Sequence, residues 1–182
     1  MSTTQTTPER LQQVALDLFE ERGYDNVTVE QIATGAGVSH MTFFRHFPTK
    51  ESVVVSDPYD PMIAHAVSAQ PTDLSALQRV RRGLLEASAA MGDGIDAATR
   101  ARIRIGVSHP RLRAAMWENN HETGRLLVSV LTGSGVPGFE ARVAVGACLG
   151  SLMAALADWA EDEAGESLGR RIERALEILG PA

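Results

Sequence analysis

The residues best suited to chemistry lie in one short stretch, VSHMTFFRHFPTKE, at residues 38–51 of this 182-residue chain. It holds three phenylalanines within five positions, two histidines, one arginine and the single lysine of the chain, Lys50. Residues 39–50 contain no acid, although the whole chain has a formal net charge of −6. Such a stretch is either an aromatic core helix or a surface that contacts a negatively charged partner, and phosphate is the partner that Lys and Arg bind in nucleic acids.

Composition limits the compartment and the size of the fold. A hydrophobic share of 44% supports one ordinary domain or two small ones. The chain has no run of 18 or more apolar residues, and its start, MSTTQTTPER, lacks the basic and apolar regions of a signal peptide. A single cysteine, Cys148, rules out an internal disulfide framework. The sequence therefore predicts a soluble, cytoplasmic protein without a membrane partner.

Patterns typical of enzymes are missing from the sequence. It has no glycine-rich phosphate loop after a strand, no His-x-x-x-His pair and no nucleophile elbow. Cys148 lies among Ala, Leu and Gly, which is typical of an inert buried thiol. His40 and His46 are six positions apart, so a helix places them on different faces. We predict no catalytic site, cofactor or metal, and keep a small helical enzyme as the less favoured alternative.

The first element that must position the 38–51 stretch is an amphipathic helix. Its apolar face is Leu11, Val14, Ala15, Leu18 and Phe19. Thr7 is predicted to cap this helix, with Pro8 at its first position. Gly23 can take the positive φ that ends it, and Tyr24 then packs back on Phe19.

Residues 28–47 are predicted to form a helix, a tight turn and a second helix. Thr28 and Gln31 have the spacing of a capping box, Gly37 suits a turn with positive φ, and Ser39 caps the second helix. This arrangement allows a second helix to enter a DNA groove. Phe43 and Phe47 are four residues apart and are predicted to face the core with Ile32 and Val38.

The remainder of the chain also has helical patterns. Thr49 is predicted to cap a helix that begins at Lys50, and DPYDP at 57–61 interrupts it, with Asp60 as N-cap and Pro61 as first residue of the next helix. Residues 100–107 alternate with period two, but a lone strand has no partner, so we predict a helix. Residues 139–163 and 167–179 give the last two helices. The predicted fold class is all-α.

Residues 8–55 resemble the N-terminal domain of the tetracycline-repressor (TetR) family of bacterial transcription regulators. The resemblance lies in RGYDNVTVEQIATGAGVSHMTFFRHFPTKESVV, residues 22–54. It implies a three-helix DNA-binding domain at 1–50 and a helical ligand-binding and dimerisation domain at 51–182. It also implies a homodimeric repressor that a small hydrophobic or acyl-CoA-like effector releases from a palindromic operator. A ligand-independent architectural DNA-binding protein is the alternative.

DNA-contacting residues follow from this resemblance and from the predicted face of the second helix. Family positions matching Thr42, Phe44, His46 and Lys50 approach DNA, although the family usually has tyrosine at the position of Phe44. Arg45 is long enough to bind a guanine edge. The full predicted set is Thr28, Ser39, His40, Met41, Thr42, Phe44, Arg45, His46 and Lys50.

Effector and dimer residues are implied by the resemblance alone. The candidate pocket residues are Leu84, Ile103, Met116, Trp117, His121, Met153 and Trp159. The candidate interface residues are Phe139, Val143, Gly146, Gly150, Leu168, Ile172, Leu176 and Leu179. The arginines at 79, 81, 82, 100, 102 and 104 either attract an anionic group or form a solvated face, and the solvated face is the commoner case.

Overall fold

The computed structural model describes residues 6–56, 59–91, 97–162 and 165–180. The all-α prediction is confirmed, since every regular element in these ranges is helical. The elements are α1 Thr7–Arg22, a 3₁₀ turn Tyr24–Asn26, α2 Val29–Gly35, α3 His40–His46, α4 Ser52–Val55, α5 Asp60–Ser68, α6 Ala76–Met91, α7 Ala97–Ser108, α8 Pro110–Gly133, α9 Gly138–Glu161 and α10 Leu168–Glu177.

The chain divides into two compact units. The first contains the chain up to Ser56 together with Ala97–Trp117, and the second contains the described residues of the two remaining stretches. The first unit therefore includes α7 and the start of α8 in addition to the N-terminal helices. The functional division at residue 50 is not tested by this grouping and stays a prediction.

A single hydrophobic cluster holds the first unit together. Its buried members are Leu11, Ala15, Phe19, Tyr24, Val27, Ile32, Ala33, Ala36, Phe43, Phe47, Val53, Val54 and Leu112. The predicted apolar face of α1 packs into this cluster, with Val14 and Leu18 at its edge. Removal of these side chains from water is the main favourable term in folding, so the cluster fixes the orientation of α3.

The start of α1 differs from the prediction by one residue. The N-cap is Thr6, and its backbone N–H donates to the Glu9 carboxylate at 2.8 Å, so the predicted cap at Thr7 is wrong. The chain offers two adjacent threonines, and Glu9 lies three residues after Thr6, the capping-box spacing. The end of α1 is as predicted: Gly23 has φ of 79°, and the Phe19 and Tyr24 rings are 5.1 Å apart.

The helix-turn-helix caps are confirmed. The Gln31 side chain accepts from the Thr28 N–H at 2.8 Å, while the Thr28 hydroxyl accepts from the Gln31 N–H at 3.3 Å. Gly37 has φ of 64° in the turn between α2 and α3. The Ser39 hydroxyl accepts from the Thr42 N–H at 3.1 Å. These local bonds fix where α3 begins.

The N-cap of α4 is Glu51 and the helix begins at Ser52, so the predicted cap at Thr49 and start at Lys50 are wrong by two residues. The Thr49 hydroxyl still accepts from the Ser52 N–H at 3.1 Å. Residues 57 and 58 of the interruption lie outside the described residues. Tyr59 already has helical angles and is the N-cap of α5, which makes Asp60 and Pro61 its first two residues. The predicted cap at Asp60 is therefore wrong by one position.

The second unit is built around α6 and α9. A Cβ added at Gly83 of α6 lies 2.5 Å from the Val67 side chain and 2.7 Å from its backbone nitrogen, so α5 and α6 pack too closely for any side chain there. Residues 100–107 are helical, as predicted. By length and composition alone, α9 is apolar enough to cross a membrane, with a mean hydropathy of 1.6. A core helix shares that property, so it does not test the prediction of no membrane partner.

Candidate nucleic-acid interface

Helix α3 has one buried and one exposed face. Phe43 is 0% and Phe47 5% exposed, and both pack in the cluster with Ile32 and against Val38, as predicted. The remaining side chains of the helix point outward or lie at its edge. Those exposed to solvent are His40, Met41, Phe44, Arg45 and His46. Of the three phenylalanines of the stretch, Phe43 and Phe47 thus belong to the core, and Phe44 lies at the surface.

The two ends of the exposed face differ in polarity. Arg45 and His46 occupy the last turn of α3, and both side chains are exposed. Met41, in the first turn, is 75% exposed and offers an apolar surface. The face therefore combines a guanidinium with apolar groups, which is suited to base edges and thymine methyls in a major groove.

Ser39 and Thr42 are engaged with each other at the start of α3. Their hydroxyls are 2.9 Å apart, and Thr42 is half-buried while Ser39 is exposed. Thr28, which caps α2, is exposed as well. These three residues fix helix starts, and whether they also contact DNA stays a prediction.

An acidic side chain that the sequence analysis missed lies beside α3. Glu30 of α2 is 3.1 Å from the His40 ring nitrogen, and the His40 ring packs on Phe44 at 4.7 Å. Hydrogen bonds from its own backbone N–H and from Thr28, with a smaller effect of His40, hold the pKa of Glu30 below its usual range. Glu30 and His40 are ten positions apart on different helices, so no periodic pattern predicts this contact.

Lys50 has a structural role in the first unit. Its ammonium donates to the carbonyl oxygens of Tyr24 at 2.8 Å and Val27 at 2.9 Å, and lies 3.9 Å from the centre of the Tyr24 ring. Burial lowers the pKa of this group. An ammonium has three N–H donors, so two are taken by the backbone and one is left for a phosphate. The predicted phosphate contact of Lys50 stays a prediction.

Tyr24, which Lys50 contacts, also forms a hydrogen bond with the neighbouring Glu51. The Tyr24 hydroxyl donates to the Glu51 carboxylate at 2.6 Å, and both burial and this bond raise the pKa of Tyr24. Burial alone raises the pKa of Glu51, but hydrogen bonds from Tyr24, its own backbone N–H and Thr49 outweigh it and leave the pKa below its usual range. The start of α4 is therefore tied to the 3₁₀ turn through Glu51 and Lys50.

His109, which lies between α7 and α8, contacts both Tyr24 and Asp25 of the 3₁₀ turn. Its ring is 4.7 Å from that of Tyr24, and its Nε2 is 3.1 Å from the Asp25 carboxylate. The hydrogen bond from His109 holds the pKa of Asp25 below its usual range. His109 and Asp25 are 84 positions apart, and no periodic pattern predicts that they meet.

The candidate pocket residues fall into both units. In the first unit, Ile103 is buried, Met116 is half-buried and Trp117 is 56% exposed. The members in the second unit are Leu84 and Trp159, both buried, Met153, half-buried, and His121, exposed. The Trp159 indole donates to the Glu166 carbonyl at 3.0 Å. Their role in a shared pocket stays a prediction.

The candidate dimer residues divide by helix. On α9, Phe139 is 71% and Val143 54% exposed. Apart from the backbone of α9 itself, no heavy atom of the described residues lies within 4 Å of a Cβ built at Gly146 or Gly150. On α10, Leu168, Ile172 and Leu176 are 5%, 2% and 0% exposed, and Leu179 is half-buried. The three buried α10 side chains thus pack inside the subunit and have little area left for a partner, because the apolar stripe of α10 covers its own α9 and α6.

Among the described residues there is no group of three or more His, Cys, Asp or Glu side chains that could hold a metal ion. His40 and His46, the pair that the sequence placed on different helix faces, belong to no such group. Cys148 is a free, buried thiol, as its surroundings in the sequence predicted.

Two family profiles match this chain. The profile described as bacterial regulatory proteins, tetR family, matches residues 11–56. The profile of the MftR C-terminal domain matches residues 74–182, which is more than half of the chain. The first match covers α2 and α3 with their caps, and the second covers α6 to α10.

Individual relatives agree with these profiles. The HTH-type transcriptional regulator TcmR of Streptomyces glaucescens is 32% identical over 195 residues, which covers 96% of this chain and 83% of that protein. The transcriptional regulator MftR of Mycobacterium tuberculosis (strain ATCC 25618 / H37Rv) is 26% identical over 183 residues, with 96% and 90% covered. The structure of Thermus thermophilus FadR, a TetR-family repressor in complex with lauroyl-CoA, has a TM-score of 0.54 at 21% identity, with 94% and 92% covered. At this identity the last comparison shows the fold alone.

Proposed function

Because this chain belongs to the tetR family of bacterial regulatory proteins and is a DNA-binding transcriptional regulator, not an enzyme, we propose that it is a homodimeric repressor released from its operator by a small effector. The single observation that supports this most is the exposed face of α3, with Arg45 at one end and Met41 at the other. A regulator of this kind acts in the cytoplasm, on double-stranded DNA.

The proposal requires two copies of the chain. One recognition helix covers one half-site, and half-sites of a palindrome lie about one helical turn, or a multiple of it, apart. The exposed Phe139 and Val143 with the open glycines 146 and 150 form an apolar strip on α9 that suits a second copy. Two-fold symmetry brings the same strip of the partner against it.

The proposed effector binds the second unit and is hydrophobic or acyl-CoA-like. The T. thermophilus FadR structure contains lauroyl-CoA, and that protein shares the fold of this chain. The MftR-type profile covers the region where the effector would bind. Effector and operator then weaken each other by the same factor, because coupling between two binding sites is reciprocal.

Fluorescence anisotropy with a labelled duplex from upstream of the chain's own gene tests the proposal. We expect tight binding to this duplex, weaker binding to a scrambled duplex of the same length, and release by lauroyl-CoA but not by free coenzyme A. Lauroyl-CoA affinity, measured by calorimetry, should fall by the same factor when the operator is bound.

The outcomes separate the alternatives. Binding that neither lauroyl-CoA nor any fraction of a cell extract weakens identifies an architectural DNA-binding protein. Equal lauroyl-CoA affinity with and without operator shows that this ligand is not an inducer. Arg45→Ala serves as the control for binding through α3, since its side chain is exposed and its loss leaves the core intact.

A further inference from the structure

Helix α6 of the second unit carries two arginines that are removed from water. Arg79 and Arg81 are each 1% exposed and are among the largest fully buried side chains of the described residues. The neighbouring Arg82 is half-buried. The commoner interpretation of these arginines from sequence, a solvated face, therefore does not hold for Arg79 and Arg81.

Among the described residues, neither buried arginine has a counter-ion. Within the described part of the chain, no carboxylate lies within 4.0 Å of either guanidinium. Arg79 donates from Nη1 to the Ser134 hydroxyl at 2.8 Å, and its Nε has no partner there. Arg81 is less satisfied, since its Nε and Nη1 are both buried without any hydrogen-bond partner among the described residues.

A buried, unpaired guanidinium is energetically costly. Arginine keeps its proton in proteins, so it cannot avoid the cost by becoming neutral. Taking a charge out of water is repaid only by an opposite charge and by hydrogen bonds to its free donors. An anion that reaches Arg81 supplies both, and the free energy gained is largest where the donors have no other partner.

The Cys148 thiol of α9 lies near Arg81. Burial raises the pKa of the Cys148 thiol on α9 to about 12, while the nearby positive charge of Arg81 lowers it, so the thiol stays neutral and is no counter-ion. The buried side chains of α9 are largely apolar: Ala141, Ala144, Val145, Cys148, Leu149, Ala155, Trp159 and Ala160. Because α6 packs against α9, a ligand that enters beside Arg81 meets these apolar side chains, which favour a ligand whose body is apolar.

We propose that Arg81 binds the anionic head group of the effector, a carboxylate or phosphate attached to an apolar body, in the second unit. Arg79, two residues away and tied to Ser134, adds positive charge to the same unit. The proposal rests on the proposed ligand-responsive function. Both free nitrogens of Arg81 are buried in this conformation, so the side chains around α6 must move before a ligand can reach them. Such a ligand favours a different conformation of the protein, which is what effector-induced release from the operator requires.

Four ten-carbon probes that differ in head group test this proposal: decanoate, decyl phosphate, 1-decanol and decyltrimethylammonium. They are titrated by calorimetry into wild type, Arg81→Met and the matched control Arg82→Met, which removes the same charge from the next position. We expect wild type and the control to bind one or both anions at least about tenfold more tightly than 1-decanol. Arg81→Met should lose this preference and keep its affinity for 1-decanol.

Decanoate and decyl phosphate also distinguish a carboxylate from a phosphate head group. A wild type that binds 1-decanol as tightly as both anions overturns the proposal, and this measurement needs no variant to fold. An Arg81→Met variant that keeps the anion preference overturns it too. Without ligand, Arg81→Met should melt at the same temperature as wild type or higher, because it removes an unpaired buried charge.

Operator release is measured separately on the same samples. If anions bind through Arg81 but the operator stays bound, the anion site is supported and ligand-induced release is refuted. If lauroyl-CoA releases the operator equally from wild type and Arg81→Met, and neither protein prefers anions, the proposed function is supported and the anion site is refuted.

Discussion

Lys50 is expected to contribute to both folding and DNA binding, and the two contributions can be separated. Its ammonium bridges the carbonyls of Tyr24 and Val27 and lies over the Tyr24 ring. Lys50→Met keeps most of the aliphatic length of the side chain and removes the charge and all three donors. The variant therefore tests the structural bridge and the predicted phosphate contact at the same time.

The structural contribution follows from the contacts. A hydrogen bond to a charged group contributes about 1.5–3 kcal/mol, and an exposed cation–π contact contributes about 0.5–1 kcal/mol. These values are not additive, and burial lowers the pKa of Lys50, which shows that desolvation offsets part of the gain. We expect Lys50→Met to lower the free energy of unfolding by about 2 kcal/mol, a factor of about 30 in the unfolding equilibrium.

Urea denaturation followed by circular dichroism measures this loss, and hydrogen exchange localises it to residues 22–51. Operator binding is then measured at several salt concentrations under conditions where the variant is fully folded. If the third donor of Lys50 contacts a phosphate, the slope of log affinity against log salt falls by about 1. Lys50→Arg is the matched control, because it keeps the charge, but its planar guanidinium fork does not reproduce the two carbonyl bonds of an ammonium.

The structural and the DNA-binding contribution of Lys50 can each be refuted by a separate measurement. A Lys50→Met variant as stable as wild type shows that the bridge to Tyr24 and Val27 contributes nothing measurable. A salt slope unchanged from wild type removes Lys50 from the phosphate contacts. A Lys50→Arg variant that is destabilised but keeps the wild-type slope supports the division of roles.

Two further predictions concern base recognition and the dimer. Arg45→Ala should lower operator affinity by about 1–3 kcal/mol and relax discrimination at one base pair per half-site; an equal loss on random DNA would assign Arg45 to a phosphate instead. Gly146→Leu should fold but dissociate to monomers in sedimentation, since an interface clash typically costs about 1–3 kcal/mol and, apart from its own helix backbone, no described atom of its own subunit is within 4 Å of the added Cβ. The control Gly83→Ala, which meets the Val67 backbone, should lose stability without changing the monomer–dimer equilibrium. A fully dimeric Gly146→Leu places the interface elsewhere.

Local chemistry made parts of the first unit predictable from sequence. The caps at Thr28 and Ser39 and the positive φ of Gly37 each depend on residues within three or four positions. The errors at the starts of α1 and α5 were of one residue. At α1 the adjacent Thr6 was as well suited to the cap as Thr7, whereas at α5 the helical backbone begins at Tyr59 without a side-chain cap. Such boundaries depend on small differences between adjacent hydrogen bonds, which a pattern of residue types does not resolve.

Contacts between distant residues were not predictable in the same way. Lys50 meets the Tyr24 carbonyl 26 positions earlier, and His109 meets Asp25 84 positions earlier, without any periodic signal. The burial of Arg81 ran against a sound expectation, since arginine is almost never fully buried unless paired. Sequence patterns describe which face of a helix is apolar, whereas an unpaired buried charge depends on what several helices jointly exclude from water.

The net charge of −6 is compatible with DNA binding because charge acts locally at a protein surface. At physiological salt the Debye length is about 8 Å, so exposed acids further than that from a phosphate are largely screened. Three acids that lie close to the helix-turn-helix, Asp25, Glu30 and Glu51, each contact a hydrogen-bonding partner: His109, His40 and Tyr24. These contacts and the exposed Arg45, more than the total charge, decide how α3 interacts with phosphate. A whole-chain charge therefore excludes DNA binding only when the acids also line the binding face.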